Sequence, residues 1–357
     1  MSMWLRLSSV MLPLLFLVSI SKVQGIVTRH DKSPKEFYVT KESSPYPCAF
    51  SYDPEQGTLQ DCACSCGATL IDSNWAVSAA HCFAEGPRKL NGKTIRIKNQ
   101  DFEVEQVFIH PCGLEANARI DRGEENIPNK DVALIKFATP VTINGESIEC
   151  PLYRGDYGSE KGQAITILGT GLSGVAGLRD EQLHCDWRLR RAENVVEETE
   201  YSMIRMRFDP PAGNPMPLEG IAGDGDSGGP AFITVDGRPH VVAVSSYGDP
   251  ISYSQLMHFK SSSTAAAKNK GRGKDRRSPE SLAPDMGSVL KQANSTRQGH
   301  RMCLGRRRAR AIRRKKGDVW GYNSLDFYAS LSAVRDWIDA TMKTSKNQGV
   351  CNDYNAL

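Results

Sequence analysis

The sequence predicts an all-β protein, a sandwich or barrel of short strands finished by one C-terminal α-helix. Two observations carry this. From about residue 66 onward, short apolar and β-branched runs recur between clusters of Gly, Pro, Asn and Asp. Convincing helical periodicity appears only near the end, where Leu331, Val334, Trp337, Ile338 and Met342 make one apolar stripe at three- and four-residue spacing.

Taken in order, 68–71, 75–78, 94–97, 102–109, 132–137, 164–168, 203–208, 231–235 and 240–245 read as strands. Several alternate with period two, as half-buried sheets do. Strand follows strand without an intervening helix, which argues for a sandwich or barrel and against a parallel α/β sheet. Residues 258–317 break the pattern. Ser, Ala, Lys, Gly and Arg dominate, and blocks such as Arg306-Arg-Arg-Ala-Arg310 and Arg313-Arg-Lys-Lys316 appear. Such a stretch buries too little apolar area to offset its ordering entropy, so a disordered insertion is expected. It also carries most of the charge asymmetry. Between Lys260 and Lys316 stand 18 Lys and Arg against 3 Asp and Glu, so a chain of net charge +4 has a net acidic body. The insertion is a candidate for polyanion binding, with a merely solvated loop or a faulty gene model as the plainer readings.

Arg6 precedes an apolar stretch over 10–20, and small or polar residues follow through Gly25. That stretch is short for a bilayer, and its flanks suit a secretory signal peptide over residues 1–25; an uncleaved anchor is the alternative. No later run of about 18 apolar residues occurs, so the mature chain is expected to be soluble, secreted and extracellular. Ten cysteines fit an oxidising compartment and read as disulfide partners. The cluster Cys62-Ala-Cys64-Ser-Cys66 lacks a second C-x-x-C or H-x-x-x-H half, so no metal site is assigned to it.

Three separated segments carry chemistry. Gly225-Asp226-Ser227-Gly228-Gly229-Pro230 sets a serine among glycines. A serine hydroxyl attacks only when a nearby base takes its proton, and flanking glycines let backbone N–H groups turn toward a developing oxyanion. Ser78-Ala-Ala-His81-Cys82 ends a strand and offers an imidazole as that base. In Asp131-Val-Ala-Leu-Ile-Lys136 an acid opens an apolar strand, and a carboxylate so placed needs a partner that an imidazole N–H would supply. Singly, the histidine and the aspartate are weak signals, whereas the serine hexapeptide is strong. Their co-occurrence in the order His, Asp, Ser is decisive.

On these residues the sequence resembles the trypsin/chymotrypsin family, whose triad runs in that chain order. The stretch from Cys66 through His81 to Cys82 matches the family's histidine region, and the resemblance implies a Cys66–Cys82 disulfide. Ile167-Leu-Gly-Thr-Gly171 is similar to the family's G-W-G segment with Thr170 in place of Trp. Ser246-Tyr247-Gly248 resembles its S-W-G strand, and Phe327-Tyr328 and the 333–338 segment resemble its last strand and terminal helix. The resemblance implies two packed antiparallel six-stranded β-barrels, the first over about 26–150 and the second over about 151–257 plus 318–342, with a tail over 343–357. It implies peptide-bond hydrolysis by His81, Asp131 and Ser227, with the Gly225 and Ser227 amides as oxyanion hole. Asp226 would pair with a freed N-terminal ammonium. No cofactor is required, the partners are protein or peptide substrates, and neither nucleic acid nor, after signal removal, membrane is implied; a monomer is expected.

Four departures shape further expectations. Ile26-Val27-Thr28-Arg29 stands where the family begins I-V-G-G, and Val23 and Gly25 suit a signal-peptidase site, so signal removal itself is expected to expose Ile26; cleavage after Arg29 or Lys35 is the alternative. The substrate pocket implied by resemblance comprises Ile221, Ala222, Ser246, Tyr247, Gly248 and Asp326. A basic preference through Asp326 and an apolar one through Ile221 are both open, and Gly223 removes a cysteine that usually frames that pocket. Cys185 is left to pair with Cys48, Cys62 or Cys64, while Cys112, Cys150, Cys303 and Cys351 have no assigned partner. Asn294-Ser-Thr296, inside the insertion, is a glycosylation acceptor. A non-catalytic binding protein of the same fold is the rival function.

Overall fold

The computed structural model describes residues 26–40, 46–59, 65–84, 86–115, 130–179, 183–249, 251–252, 318–347 and 351. The signal segment, the 258–317 insertion and Asn294 lie outside the described residues.

Strand β1 (Ile26–Thr28) comes first. Six strands follow, β2 (Ala49–Tyr52), β3 (Cys66–Asp72), β4 (Trp75–Ser78), β5 (Thr94–Ile97), β6 (Gln100–Ile109) and β7 (Ala133–Phe137). They form one antiparallel sheet in the order β2-β3-β4-β7-β6-β5, curled so that β2 and β5 meet and nearly close a barrel. Its interior is filled by side chains such as Phe50, Leu70, Phe102, Ile135 and Phe137. All but Phe50 come from the runs the apolar pattern marks; β2 lies outside those runs, and the bounds of β3 to β7 agree with the expected ones to within two residues.

A short hairpin, β8 (Thr142–Ile143) and β9 (Glu146–Ser147), leads to the second half. Here lie β10 (Ala164–Gly169), β11 (Ser173–Val175), β12 (Leu178–Arg179), β13 (Arg190–Val195), β14 (Glu198–Glu200), β15 (Met203–Arg207) and β16 (Gly220–Ile221). β17 (Pro230–Val235), β18 (Arg238–Asp249), β19 (Ile251–Ser252), β20 (Asp318–Trp320) and β21 (Leu325–Ser330) complete it. The main sheet has seven strands in the order β13-β10-β17-β18-β21-β15-β14 and curls into a half-barrel. The two-barrel architecture is thus present, with seven rather than six strands in the second sheet. β13 (RRAENV) and β14 (ETE) are charge-rich and carry no apolar signal; pairing with β10 and β15 makes them strands.

The terminal helix runs Arg335–Thr344, two residues past the expected end, and stops at Ser345 with φ 50°. Trp337 and Ile338 are buried, and the Trp337 ring lies 5.0 Å from that of His110. The presumed tail is anchored, because Cys351 is bonded to Cys112. Cys66–Cys82 forms as the resemblance implies. Cys48 pairs with Cys150, which removes it from the candidates for Cys185. Cys185 is itself disulfide-bonded; Cys62, Cys64 and Cys303 lie outside the described residues. Among the described residues, no helix is long and apolar enough to cross a membrane.

Candidate active site between the two barrels

Strand register brings the first two candidates together. β4 and β7 are antiparallel neighbours with Ser78 opposite Ala133. His81 stands three residues beyond Ser78 on a 3-10 turn (Ala80–Phe83), and Asp131 two residues before Ala133, so both emerge at the same sheet end. The Asp131 carboxylate accepts three hydrogen bonds: from the His81 backbone N–H at 2.8 Å, from His81 Nδ1 at 2.7 Å and from Ser246 Oγ at 2.6 Å. Asp131 is almost fully buried. Burial alone would push its carboxyl up, but the neighbouring His81 ring and these donors together hold it below the usual carboxylate range. An ionised carboxylate only accepts, so the ring proton sits on Nδ1 and the lone pair on Nε2.

Close backbone packing positions Ser227. It lies in the turn between β16 and β17, half-buried, and its carbonyl accepts from the Gly67 N–H at 2.7 Å. Gly228 has φ 76°, and a Cβ there would fall 2.3 Å from Ser78 Oγ and 2.6 Å from the Gly67 carbonyl oxygen. A Cβ on Gly67 would meet the Gly229 Cα at 2.5 Å. The glycines therefore let the second barrel's turn touch the strand that leads to His81, a role beyond aiming amides. The Cys82 sulfur lies 3.7 Å from the Ser227 carbonyl oxygen; being disulfide-bonded, it has no proton to donate. Among the described residues, the Ser227 hydroxyl makes no hydrogen bond, so this structure does not link it to the imidazole.

Both candidate oxyanion donors point away from the protein's own acceptors. The Asp224 carbonyl accepts from the Leu172 N–H at 2.5 Å and the Asp226 carbonyl from the Gly229 N–H at 2.8 Å. In a trans peptide the N–H opposes the C=O, so the Gly225 and Ser227 N–H groups face the other way. Gly225 takes φ 91°, a left-handed value that favours glycine, and Ser65 Oγ donates to its carbonyl at 3.1 Å.

Asp226 points into the body. Its carboxylate accepts from the Gly171 N–H at 2.7 Å, from the Gly223 N–H at 2.9 Å and from the backbone N–H of Ile26. Burial pushes this carboxyl up to about 6, against the pull of those amides and of Arg190. β1 holds Ile26 there, paired with Ser173–Val175 in β11 and, through Val27 and Thr28, with Ile221 and Gly220 in β16.

A family model described as Trypsin matches residues 39–261, more than half of the chain and a span that includes His81, Asp131 and Ser227. This chain belongs to the trypsin family. A trypsin from Phaedon cochleariae is 29% identical over 198 residues, 51% of this chain and 68% of that protein. A submandibular glandular kallikrein-9 from Rattus norvegicus is 32% identical over 85 residues, 22% of this chain and 33% of its own length. Trypsin from Sus scrofa is 29% identical over 102 residues, 28% of this chain and 40% of the other. The chain therefore spans well under half the length of two of these three relatives.

Within this trypsin-family domain, all of the expected pocket residues but Tyr247 are buried. Ile221 is fully buried, Asp326 is 1% exposed and Ala222 is 6% exposed. Asp326 Oδ2 accepts the Ala222 N–H at 2.7 Å, and burial pushes its carboxyl up to about 8. In this structure the acid is turned to the Ala222 amide rather than to solvent. A cavity of about 560 Å³ lies elsewhere, bordered by Phe50, Leu168, Thr170, Trp187 and Gly225, and none of the expected pocket residues lines it. Sequence reasoning assigned Ser246 to the pocket wall and missed its bond to Asp131, because the two are 115 residues apart. It also missed Ser65 and Arg190, which carry no motif.

Proposed function

We propose that this chain is a secreted serine endopeptidase that hydrolyses peptide bonds through an acyl-enzyme on Ser227. One observation carries the reading: Asp131, buried and ionised, holds His81 by ring and backbone while Ser246 occupies its remaining valence. An imidazole fixed in that tautomer offers Nε2 as the base for a hydroxyl. Ser227 stands on the turn packed against the His81 segment, and the hydroxyl-to-ring hydrogen bond forms in the substrate complex, since such bonds tighten only there. The Gly225 and Ser227 amides receive the tetrahedral oxyanion.

The active form, in this proposal, starts at Ile26. Ile26 is buried at φ 69°, a left-handed value that strains a β-branched residue. Cleavage before it releases that constraint and turns the amide beside Asp226 into an ammonium. Cleavage after Arg29 is disfavoured by burial and by its guanidinium, which donates to Asp31 and to the Met216 carbonyl. Such a cut would also discard β1.

A fluorophosphonate probe tests the peptidase against the non-catalytic rival. Ser227 of secreted, N-terminally sequenced protein should be labelled, and His81→Ala should abolish labelling. Absence of labelling in correctly processed material defeats the reading.

A further inference from the structure

The wall beside Ser227 is built from two backbone segments. β18 passes Ser246, which touches Asp131, and continues to Gly248; β16 ends at Ile221 and leads through Ala222 toward Ser227. The resemblance drawn from the sequence assigns the space between them to the substrate's acyl residue. In this structure it is occupied. A Cβ built on Gly248 would fall 2.3 Å from Cη2 and 2.6 Å from Cζ3 of Trp320, so the indole lies directly against that strand. Trp320 shares an apolar cluster with Ile221, Leu172, Leu178 and Phe208, and is 2% exposed.

We infer that Trp320 fills the primary specificity pocket and limits cleavage to bonds that follow glycine or alanine. The inference rests on the serine-peptidase reading and names its substrate class. The indole is held by its main chain as well as by packing. β20 pairs with β12 on one side and β19 on the other, and the Trp320 carbonyl accepts from the Gly177 N–H at 2.7 Å. A long or aromatic substrate side chain would have to displace a buried ring packed in an apolar cluster, whereas a hydrogen or methyl group needs no such space. Asp326, sealed and bonded to the Ala222 amide, supplies no exposed charge that would favour a basic residue.

Protein whose Ser227 takes up the fluorophosphonate is profiled against a peptide library, as wild type and as Trp320→Ala and Trp320→Leu. The second, milder substitution covers the chance that the first fails to fold. Wild type should cleave after Gly or Ala at least 100-fold faster than after Phe, Leu, Arg or Lys. Each folded variant should raise kcat/KM for Leu or Phe at that position, relative to Ala, tenfold or more. Labelled wild type that cleaves after a large residue as fast as after Ala overturns the inference and leaves the peptidase reading standing. So does a folded variant with an unchanged profile. Failure of wild type to label overturns the peptidase reading and this inference with it.

Discussion

Asp131 receives donors from His81 and Ser246, and the strength of those bonds sets how firmly the imidazole is oriented. A hydrogen bond to a charged group is worth roughly 1.5–3 kcal/mol. Ser246→Ala should therefore lower kcat/KM for an unspecific ester about 10- to 100-fold, with KM little changed, as steady-state kinetics would show. Asp326 makes a prediction of opposite character, about stability. Burial pushes its carboxyl up to about 8, well above the ordinary carboxylate range. The protonated acid thus contributes stability that is complete below the unfolded pKa and is lost as pH rises through the folded one. Thermal melts should show Tm falling between pH 5 and pH 8.5, and Asp326→Asn should flatten that fall, by on the order of 3 kcal/mol at the alkaline end. The identities of His81, Asp131 and Ser227 were legible in sequence because their flanking residues form a local pattern. Ser246 and Trp320 carry no such pattern, and their contacts lie across long stretches of chain.

Among the elements, β1 has the most consequence for its size. Three residues, all buried, set the Ile26 N–H against Asp226 and join β11 to β16. If Ile26 begins the active chain, its ammonium stabilises the Asp226 carboxylate, and that stabilisation is lost as pH rises through the raised pKa of the amino group. Protein that retains Gly25 should be at least tenfold less active toward the same ester than protein starting at Ile26. The Ile26 form should also lose activity above about pH 9, near the range of an α-amino group raised by its partner. β5 and β6 were readable from half-buried alternation, and β3, β4 and β7 as short apolar runs buried almost throughout. β13 and β14 were not, since their charged side chains face solvent or ion pairs such as Lys161–Glu198, and only neighbours made them strands.

For the whole molecule, the neck of the long insertion is informative. β19 and β20 pair with Ile251 opposite Val319 and Ser252 opposite Asp318, so the backbone on either side of residues 253–317 is already brought together. Replacing 258–317 with a short Gly-Ser turn should then leave Tm within a few degrees and Ser227 labelling intact. The same deletion should abolish retention on immobilised heparin at low salt, where the insertion's cationic excess would act. Retention unchanged by the deletion would locate polyanion binding elsewhere. Because the neck's second strand carries Trp320, insertion and specificity pocket are neighbours along the chain, a link that composition alone did not suggest.

By itself the sequence determined the fold class, and it marked His81, Asp131 and Ser227 as candidates and 258–317 as a break in composition, because each is written in short-range pattern: alternation, glycine-flanked serine, charge without aromatics. The tertiary structure decided which hydroxyl braces Asp131, which cysteines meet, how many strands close the second sheet, and whether the pocket is open. These depend on register and volume between segments 100 or more residues apart, such as Ala222 on Asp326 and Cys48 on Cys150. Packing of that kind is a property of the assembled surface, and no local run of residues encodes it.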